Sequence, residues 1–322
     1  MSKNRLEEEY YMTKKIVFMG TPDFSVPILK MLIDSDYDVV AVVTQPDKPR
    51  GRKRQMTPSP VKAFALEHSV PVIQPVKIRT DFEEILQYEP DLIVTAAYGQ
   101  ILPKELLDVP PFGCINVHAS LLPELRGGAP IHYAIMQGKK ETGVTIMYMA
   151  EGMDTGDMIS QEAIPIEEND HTGSLHDKLS IVGAGLLKKT LPAIFSNEVK
   201  ATPQNHENAT YAYTIKREEE KIDWQKTQEE IYNHIRGLHP WPVAYTTYKD
   251  QTIKIWWAEK VEQTSNGKPG EILRVEDGLF IGTADGKQLN ITELQPAGKK
   301  RMKTEDFLRG SKDYFTVGEQ LG

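Results

Sequence analysis

The feature that most limits the fold is a set of short, nearly continuous apolar runs in the N-terminal part of the chain. They are Ile16-Val17-Phe18-Met19, Val39 to Val43, D-L-I-V-T-A at Asp91 to Ala96 and G-C-I-N-V at Gly113 to Val117. Each is too short for a stable helix and lacks the alternation of a strand with one wet face. Strands of this kind lie inside a sheet covered on both sides, which is the habit of parallel sheets. The segments between them fit that reading. Ser59 to His68 and Asp81 to Tyr88 have helical character, and Phe24, Val26, Ile28, Leu29 and Leu32 give an irregular apolar face after the first strand. Ser59 followed by Pro60 is a helix start, a capping hydroxyl and then a fixed φ. Alternation of such strands with helices predicts an α/β domain.

Thr142 to Met149 and Met158 to Ile166 read as strands flanking a loop. A longer helix from Ser174 to Phe195 sets Leu175, Leu179, Val182, Leu186 and Leu187 near helical spacing. From Ser196 to Thr210 the periodicity gives way to Asn, Pro, Gln and Thr, so residues 196–210 are expected to be a linker. Beyond it come one helix, Gln228 to Gly237, and strands at Thr252 to Trp257, Glu271 to Val275, Leu279 to Thr283 and Gln288 to Leu294. That rhythm predicts a small β-barrel. The expected organisation is an α/β domain over residues 12–195, the linker, and a C-terminal β-barrel domain over 211–322. Residues 1–11 are charged and polar and precede Met12, so they are expected to be a disordered extension.

A length of 322 residues suits two domains. With 39% hydrophobic and 26% charged residues, no bilayer-spanning run and no signal-peptide core, the chain is expected to be globular and cytoplasmic. The one cysteine, Cys114, permits no intrachain disulfide and reads as a buried structural thiol. A net charge of −8 argues against a surface coated in basic residues. Yet Lys48, Arg50, Arg52, Lys53 and Arg54 are clumped, as are Lys299, Lys300, Arg301 and Lys303. Local patches on an acidic chain can still steer a polyanion to one place. The scattered histidines and single cysteine give no metal-ligand spacing, so no metal is expected. G-T-P-D-F at Gly20 lacks the second and third glycines of a dinucleotide fingerprint, which disfavours a nicotinamide dehydrogenase.

The chemistry-bearing segment runs from Cys114 to Pro130, C-I-N-V-H-A-S-L-L-P-E-L-R-G-G-A-P. Residues two apart on a strand share a face, so Asn116 and His118 stand together where a strand ends. The carboxyl ends of strands are where open α/β sheets place ligands. An amide beside an imidazole offers a donor for an oxyanion and a group that carries a proton. Asp154, in the loop M-D-T-G-D, could orient that imidazole. Taken singly, each piece also has a structural reading: a histidine bonded into the framework, and a D-x-G-D turn.

Together, N-V-H-A-S-L-L-P-E-L-R-G (Asn116 to Gly127) and D-T-G-D (Asp154 to Asp157) resemble the signature of the folate-dependent formyltransferases. The resemblance implies a Rossmann-like domain that uses 10-formyltetrahydrofolate as cosubstrate, with Asn116, His118 and Asp154 as the catalytic trio. It implies that Ser120, Leu121, Leu122 and Pro123 lie at the folate. It also implies that A-Y-G-Q-I-L-P (Ala97 to Pro103) is the pterin-pocket loop, walled by Tyr98, Ile101 and Leu102. The likeness extends from Met12 over nearly the whole chain. G-T-P-D-F at Gly20, T-Q-P-D-K-P at Thr44, P-S-P-V-K at Pro58, H-P-W-P at His239 and L-Q-P-A-G-K-K at Leu294 are similar to members that formylate initiator methionyl-tRNA.

On that likeness the family's basic inserted loop falls on Lys48 to Met56, where Pro49 and Gly51 are expected to break regular structure. Its tRNA-contacting arginine falls on Arg52, flanked by Lys48, Arg50, Lys53 and Arg54, and the C-terminal domain, OB-like in the family, is expected to bind tRNA. Formylation of an amino-sugar nucleotide would use the same central segments but does not require the basic loop. A glycinamide ribonucleotide formyltransferase is usually the catalytic domain alone. A noncatalytic RNA-binding protein would have no need of Asn116, His118 and Asp154 together. Neither a membrane nor an obligate protein partner is expected.

Overall fold

The computed structural model describes residues 13–50, 55–276 and 278–322, apart from the side chain of Arg50. The expected N-terminal extension, 1–11, and the loop residues Arg52, Lys53 and Arg54 lie outside the described residues.

The chain gathers into two compact units. The first takes the chain up to Gly128 together with Gly143–Ile164 and Asp177–Ala212, and the second takes Ala129–Thr142, Pro165–His176 and Tyr213–Gly322. Residues 196–210, which read as a linker, all fall in the first unit. No helix among the described residues is long and apolar enough to cross a membrane.

Strands β1 (Lys15–Gly20), β2 (Asp38–Val43), β3 (Lys48–Arg50), β4 (Gln55–Thr57), β5 (Val72–Ile73), β6 (Leu92–Ala96), β7 (Cys114–His118), β8 (Glu141–Tyr148) and β9 (Met158–Pro165) come first. Seven of them form one sheet in the order β5-β2-β1-β6-β7-β8-β9. The pairs β2/β5, β1/β2, β1/β6 and β6/β7 are parallel. β1 and β6 lie at its centre, and their unbroken apolar runs are buried there as expected. β7 and β8 are antiparallel, a direction that the reading of Thr142 to Met149 as a strand left open. A parallel return needs a crossover packed on the sheet. The helix in this connection, Pro130–Met136, belongs to the second unit instead.

From β1 the chain builds outward to β2 and β5 on one side and to β6 and β7 on the other. This reversal is the Rossmann-like switch point, and open α/β sheets place ligands beyond the carboxyl ends of the strands that flank it, here β1 and β6. Gly20 ends β1 in contact with its neighbours: an added Cβ would stand 2.7 Å from Ser25 Cβ and 2.9 Å from the Ala96 carbonyl oxygen. Ser25 Oγ donates to that same oxygen at 2.6 Å. Ser59 caps the helix Pro60–Glu67 as its sequence predicts, accepting from Lys62 N at 3.0 Å. The segment Asp81 to Tyr88 is helical only over Glu83–Leu86. Where irregular structure is expected, over Lys48 to Met56, the described residues pair: β3 runs antiparallel to β4, Lys48 opposite Thr57 and Pro49 opposite Met56.

The second unit contains β10 (Tyr245–Tyr248), β11 (Gln251–Val261), β12 (Ile272–Arg274), β13 (Leu279–Gly282), β14 (Gln288–Pro296) and β15 (Met302–Lys303). They form an antiparallel sheet in the order β10-β11-β14-β13-β12, with β15 on β14. Register shifts between Ile255 and Ala258 bend β11, and bends of this kind let a sheet curl. The curled sheet is the OB-like barrel that the strand spacing and the family likeness lead one to expect. Its core includes Ile253, Leu289, Ile291 and Leu294 with Ile231, Tyr232 and Ile235 of the helix Gln228–Gly237. That helix starts at a capping box in which Thr227 and Glu230 satisfy each other's backbone N–H groups.

Candidate active site

Thr95 on β6 stands in register with Asn116 on β7. Thr95 is buried, and its Oγ1 donates to Asn116 Oδ1 at 2.8 Å. The same hydroxyl lies farther from the Ile115 carbonyl oxygen, at 3.1 Å, and with its one proton on the nearer Asn116 oxygen the NH₂ group is turned away from Thr95. Asn116 itself is only half-buried, so this donor is within reach of a ligand. Sequence reasoning named Asn116 but not Thr95, because a threonine in an apolar strand carries no signal until the neighbouring strand is known.

His118 lies two residues on, at the end of β7, and is buried. Its Nε2 is 3.0 Å from the Leu125 carbonyl oxygen. A carbonyl only accepts, so Nε2 carries the proton in that contact, and Nδ1 faces Asp154 Oδ2 at 3.7 Å. That separation is too long for a hydrogen bond and short enough for attraction once the ring is charged. The protonated ring therefore keeps an Nδ1–H that the carboxylate does not monopolise.

Asp154 has a left-handed φ of 51°. Its Oδ2 accepts from the Gly127 N–H at 2.8 Å, which aims the carboxylate. Gly127 has φ +117°, and an added Cβ would be 2.7 Å from the Ala212 carbonyl oxygen, so only glycine fits there. Gly156 is equally confined, since its Cβ would fall 1.9 Å from the Tyr148 carbonyl oxygen. The G of S-L-L-P-E-L-R-G and the G of D-T-G-D are thus demanded by close backbone approach.

The two loops expected at a folate differ in how they are held. Ser120 and Leu122 are buried, while Leu121 and Pro123 are half-buried. Thr145 Oγ1 donates to the Ser120 carbonyl oxygen at 2.7 Å and accepts from Leu122 N at 3.1 Å. Gln161 Nε2 donates to the Leu122 carbonyl oxygen at 2.9 Å. β8 and β9 thereby fix the S-L-L-P backbone, a role the sequence did not reveal for Thr145 or Gln161. In the other loop, the Tyr98 carbonyl oxygen accepts from Thr21 Oγ1 at 3.1 Å and from Gln45 Nε2 at 3.2 Å. Tyr98 and Leu102 are part of the apolar core below the sheet, whereas Ile101 is 44% exposed. Burial pushes the Tyr98 hydroxyl up to about 12, and this hydroxyl has no hydrogen-bond partner among the described residues. Cys114 is buried too, its thiol also pushed up to about 12 by burial, which makes it inert.

Lys48 opens the basic segment and is exposed. The segment's start is pinned by Asp47, which accepts from Lys62 Nζ and from Gln74 Nε2, each at 2.8 Å. Those two donors, the lysine first, hold the Asp47 carboxyl below its ordinary value. In the second unit Arg301 does not stand free. It donates from Nε to Glu293 Oε2 at 2.6 Å and lies over the Trp256 ring at 4.5 Å.

Residues 14–191 match the family described as formyl transferase, and residues 214–312 match the formyl transferase C-terminal domain. The chain is a member of the formyl transferase family. This formyl transferase is 61% identical over 311 residues to a methionyl-tRNA formyltransferase of Geobacillus sp. (strain WCH70), covering 96% of this chain and 98% of that protein. A solved N-formyltransferase from Helicobacter canadensis, in complex with folinic acid and dTDP-3-aminofucose, aligns with a TM-score of 0.66 at 21% identity. That alignment covers 88% of this chain and 100% of the other. A methionyl-tRNA formyltransferase from Clostridium thermocellum aligns with a TM-score of 0.54 at 19% identity, over 79% and 95% of the two chains. Likeness at these two identities speaks to the fold alone.

Proposed function

We propose that this chain transfers the formyl group of 10-formyltetrahydrofolate to the α-amine of methionine esterified to initiator tRNA, giving N-formylmethionyl-tRNA for translation initiation. The observation that carries this reading is the 61% identity, over 96% of the chain, to a methionyl-tRNA formyltransferase. We place the reaction in the cytoplasm.

The residues present suit a folate. The Tyr98 loop follows the carboxyl end of β6 at the switch point, and the buried Tyr98 hydroxyl has no partner among the described residues, an orphaned polar atom that a pterin ring edge would satisfy. Tyr98, Ile101 and Leu102 would wall the pterin, with Ser120 to Pro123 alongside. Bound there, 10-formyltetrahydrofolate supplies the activated carbon. The chain's own groups do the rest. Asn116 donates its NH₂ to the formyl oxygen as negative charge builds on it. His118 donates from Nδ1 to the same region when protonated, and carries a proton toward the leaving nitrogen. Asp154 supports the charge on that ring. The basic segment Lys48 to Met56, with Lys48, Arg50, Arg52, Lys53 and Arg54, engages the acceptor end of the tRNA, where readout falls on phosphates and unpaired bases.

The direct test is incubation of the purified chain with 10-formyltetrahydrofolate and either charged initiator tRNA or a nucleotide-linked amino sugar. Formylation of the tRNA is expected. Formylation of the sugar with none of the tRNA would overturn the reading.

A further inference from the structure

Residues 202 to 212 lie across the loop that carries Asp154. Thr202 exchanges backbone hydrogen bonds with Met158, at 2.8 and 2.9 Å. Farther on, the Thr210 carbonyl oxygen accepts from Arg126 N at 2.9 Å, and Ala212 N donates to the Arg126 carbonyl oxygen at 2.7 Å. Between these anchors sits Gln204, 5% exposed. Its Nε2 donates to the carbonyl oxygens of Asp154 and Gly156, at 2.8 and 2.7 Å. Its Oε1 accepts from Arg126 Nε and Nη2, at 3.1 and 2.7 Å. Both donors and both lone pairs of the amide are engaged, so the side chain has one orientation.

Arg126 is 1% exposed, and its Nη2 also lies 3.1 Å from His206 Nδ1. Its acceptors here are neutral groups. Burying a guanidinium costs free energy, and a well-packed apolar side chain would fill the same space without that cost. What the arginine adds is geometry: a planar fork that fixes the Gln204 oxygen and thereby aims the Gln204 NH₂ group.

The target of that aim is the backbone of a strained residue. A left-handed conformation at a non-glycine residue is sparsely populated and persists where the surroundings over-determine it. Gln204 holds the carbonyls of Asp154 and Gly156, and so fixes the peptide planes that follow the strained residue. Gly127, next in sequence to Arg126, fixes the Asp154 carboxylate.

We infer that Gln204, held by Arg126, is a positioning residue for formyl transfer: it sets the Asp154 main chain so that the carboxylate stays against His118. This rests on the reading of Asp154 as one of the catalytic trio. The segment that reads as a polar linker is in this respect part of the catalytic apparatus.

Gln204→Glu separates positioning from packing. It keeps an oxygen toward Arg126 and adds an ion pair there, but it replaces the two donors with an acceptor facing two carbonyls. Gln204→Met, similar in size and without donors, provides a second route if the charge disturbs folding. Steady-state kinetics on full-length Gln204→Glu, Gln204→Met, Asp154→Asn and the double variants form the test, alongside thermal melts. Each Gln204 variant is expected to melt below the wild type, because two buried carbonyls lose their donor, yet to stay folded at the assay temperature. At that temperature it should lose up to about 10²-fold in kcat, the scale of a 1 Å misplacement. KM for the folate should stay within about twofold, as for a group acting in the transition state. In the Asp154→Asn background the further loss should largely vanish, because the residue being positioned no longer acts. Wild-type kcat in both Gln204 variants, or losses that multiply in full in the double variants, would overturn the inference. An Asp154→Asn enzyme with wild-type kcat would instead overturn the trio itself.

Discussion

Thr95 and Asn116, paired in register on neighbouring parallel strands, are joined by a hydrogen bond of 2.8 Å from the threonine hydroxyl to the amide oxygen. The bond decides which end of the Asn116 amide is offered to a substrate. Asn116→Ala and His118→Ala should each lower kcat by about 10²–10³, the usual cost of one oxyanion donor. Thr95→Val leaves the amide in place but free to turn, so its loss should be smaller, about tenfold. Folate affinity should hardly change in any of the three. Stopped-time formylation assays with a parallel folate titration check this; near-wild-type turnover in both the Asn116 and His118 variants would remove them from the chemistry.

Strand β3 carries Lys48 and Arg50, and Arg52, Lys53 and Arg54 follow in sequence. If these residues neutralise phosphates, replacing them with alanine should flatten the plot of log affinity for tRNA against log salt. The slope should fall by about 0.7–0.9 for each phosphate no longer neutralised. Arg52→Ala alone should raise KM for methionyl-tRNA while leaving folate binding intact. Titrations of the two substrates across a salt series discriminate the cases. An unchanged slope would return the segment to an ordinary solvated surface.

Burial pushes His132 and His239 down to about 4, and His239 is pushed further by His171 nearby. His234 shifts in the same direction for the same reason. An unperturbed histidine titrates near about 6.5, so between there and about 4 the unfolded chain binds protons that the folded chain refuses. Stability from these groups is therefore complete above about pH 6.5 and is lost as the pH falls toward 4. Urea midpoints measured from pH 7.5 down to 4.5 should decline, and the decline should be shallower in His132→Gln/His239→Gln. A flat profile through this window contradicts the assignment.

Ending the chain at residue 205 should not leave a self-sufficient domain. The helix Pro130–Met136 buries Ile131, Ala134 and Ile135 and belongs to the unit completed by residues 213–322. Its neighbour there is the helix Gln228–Gly237, where Gly237 comes so close that an added Cβ would be 2.5 Å from Met136 Cγ. The cut also removes Thr210 and Ala212, which bond to Arg126. We expect an aggregating or partly unfolded product, judged by light scattering and near-UV circular dichroism. A monomeric truncation with native spectra would show that the helix finds cover elsewhere.

Where a structural cause is local, the sequence by itself determined the outcome. The Ser59-Pro60 start needs only its own turn, and Ser59 caps that helix. The runs at Ile16 to Met19 and Leu92 to Val94 have no polar face to give to water, so they could only be central strands. The N-x-H spacing places Asn116 and His118 on one face by strand period alone. The tertiary structure alone decided whatever joins residues far apart in the chain. Glu141 to Tyr148 is apolar enough for either strand direction, and only the fold sets it antiparallel to β7. Gln204 sits in a stretch with no periodicity, and only folding brings its amide onto the Asp154 and Gly156 carbonyls. Apolar periodicity reports which face a residue buries. It does not report which distant backbone group a buried amide will meet, because that depends on the path of the whole chain.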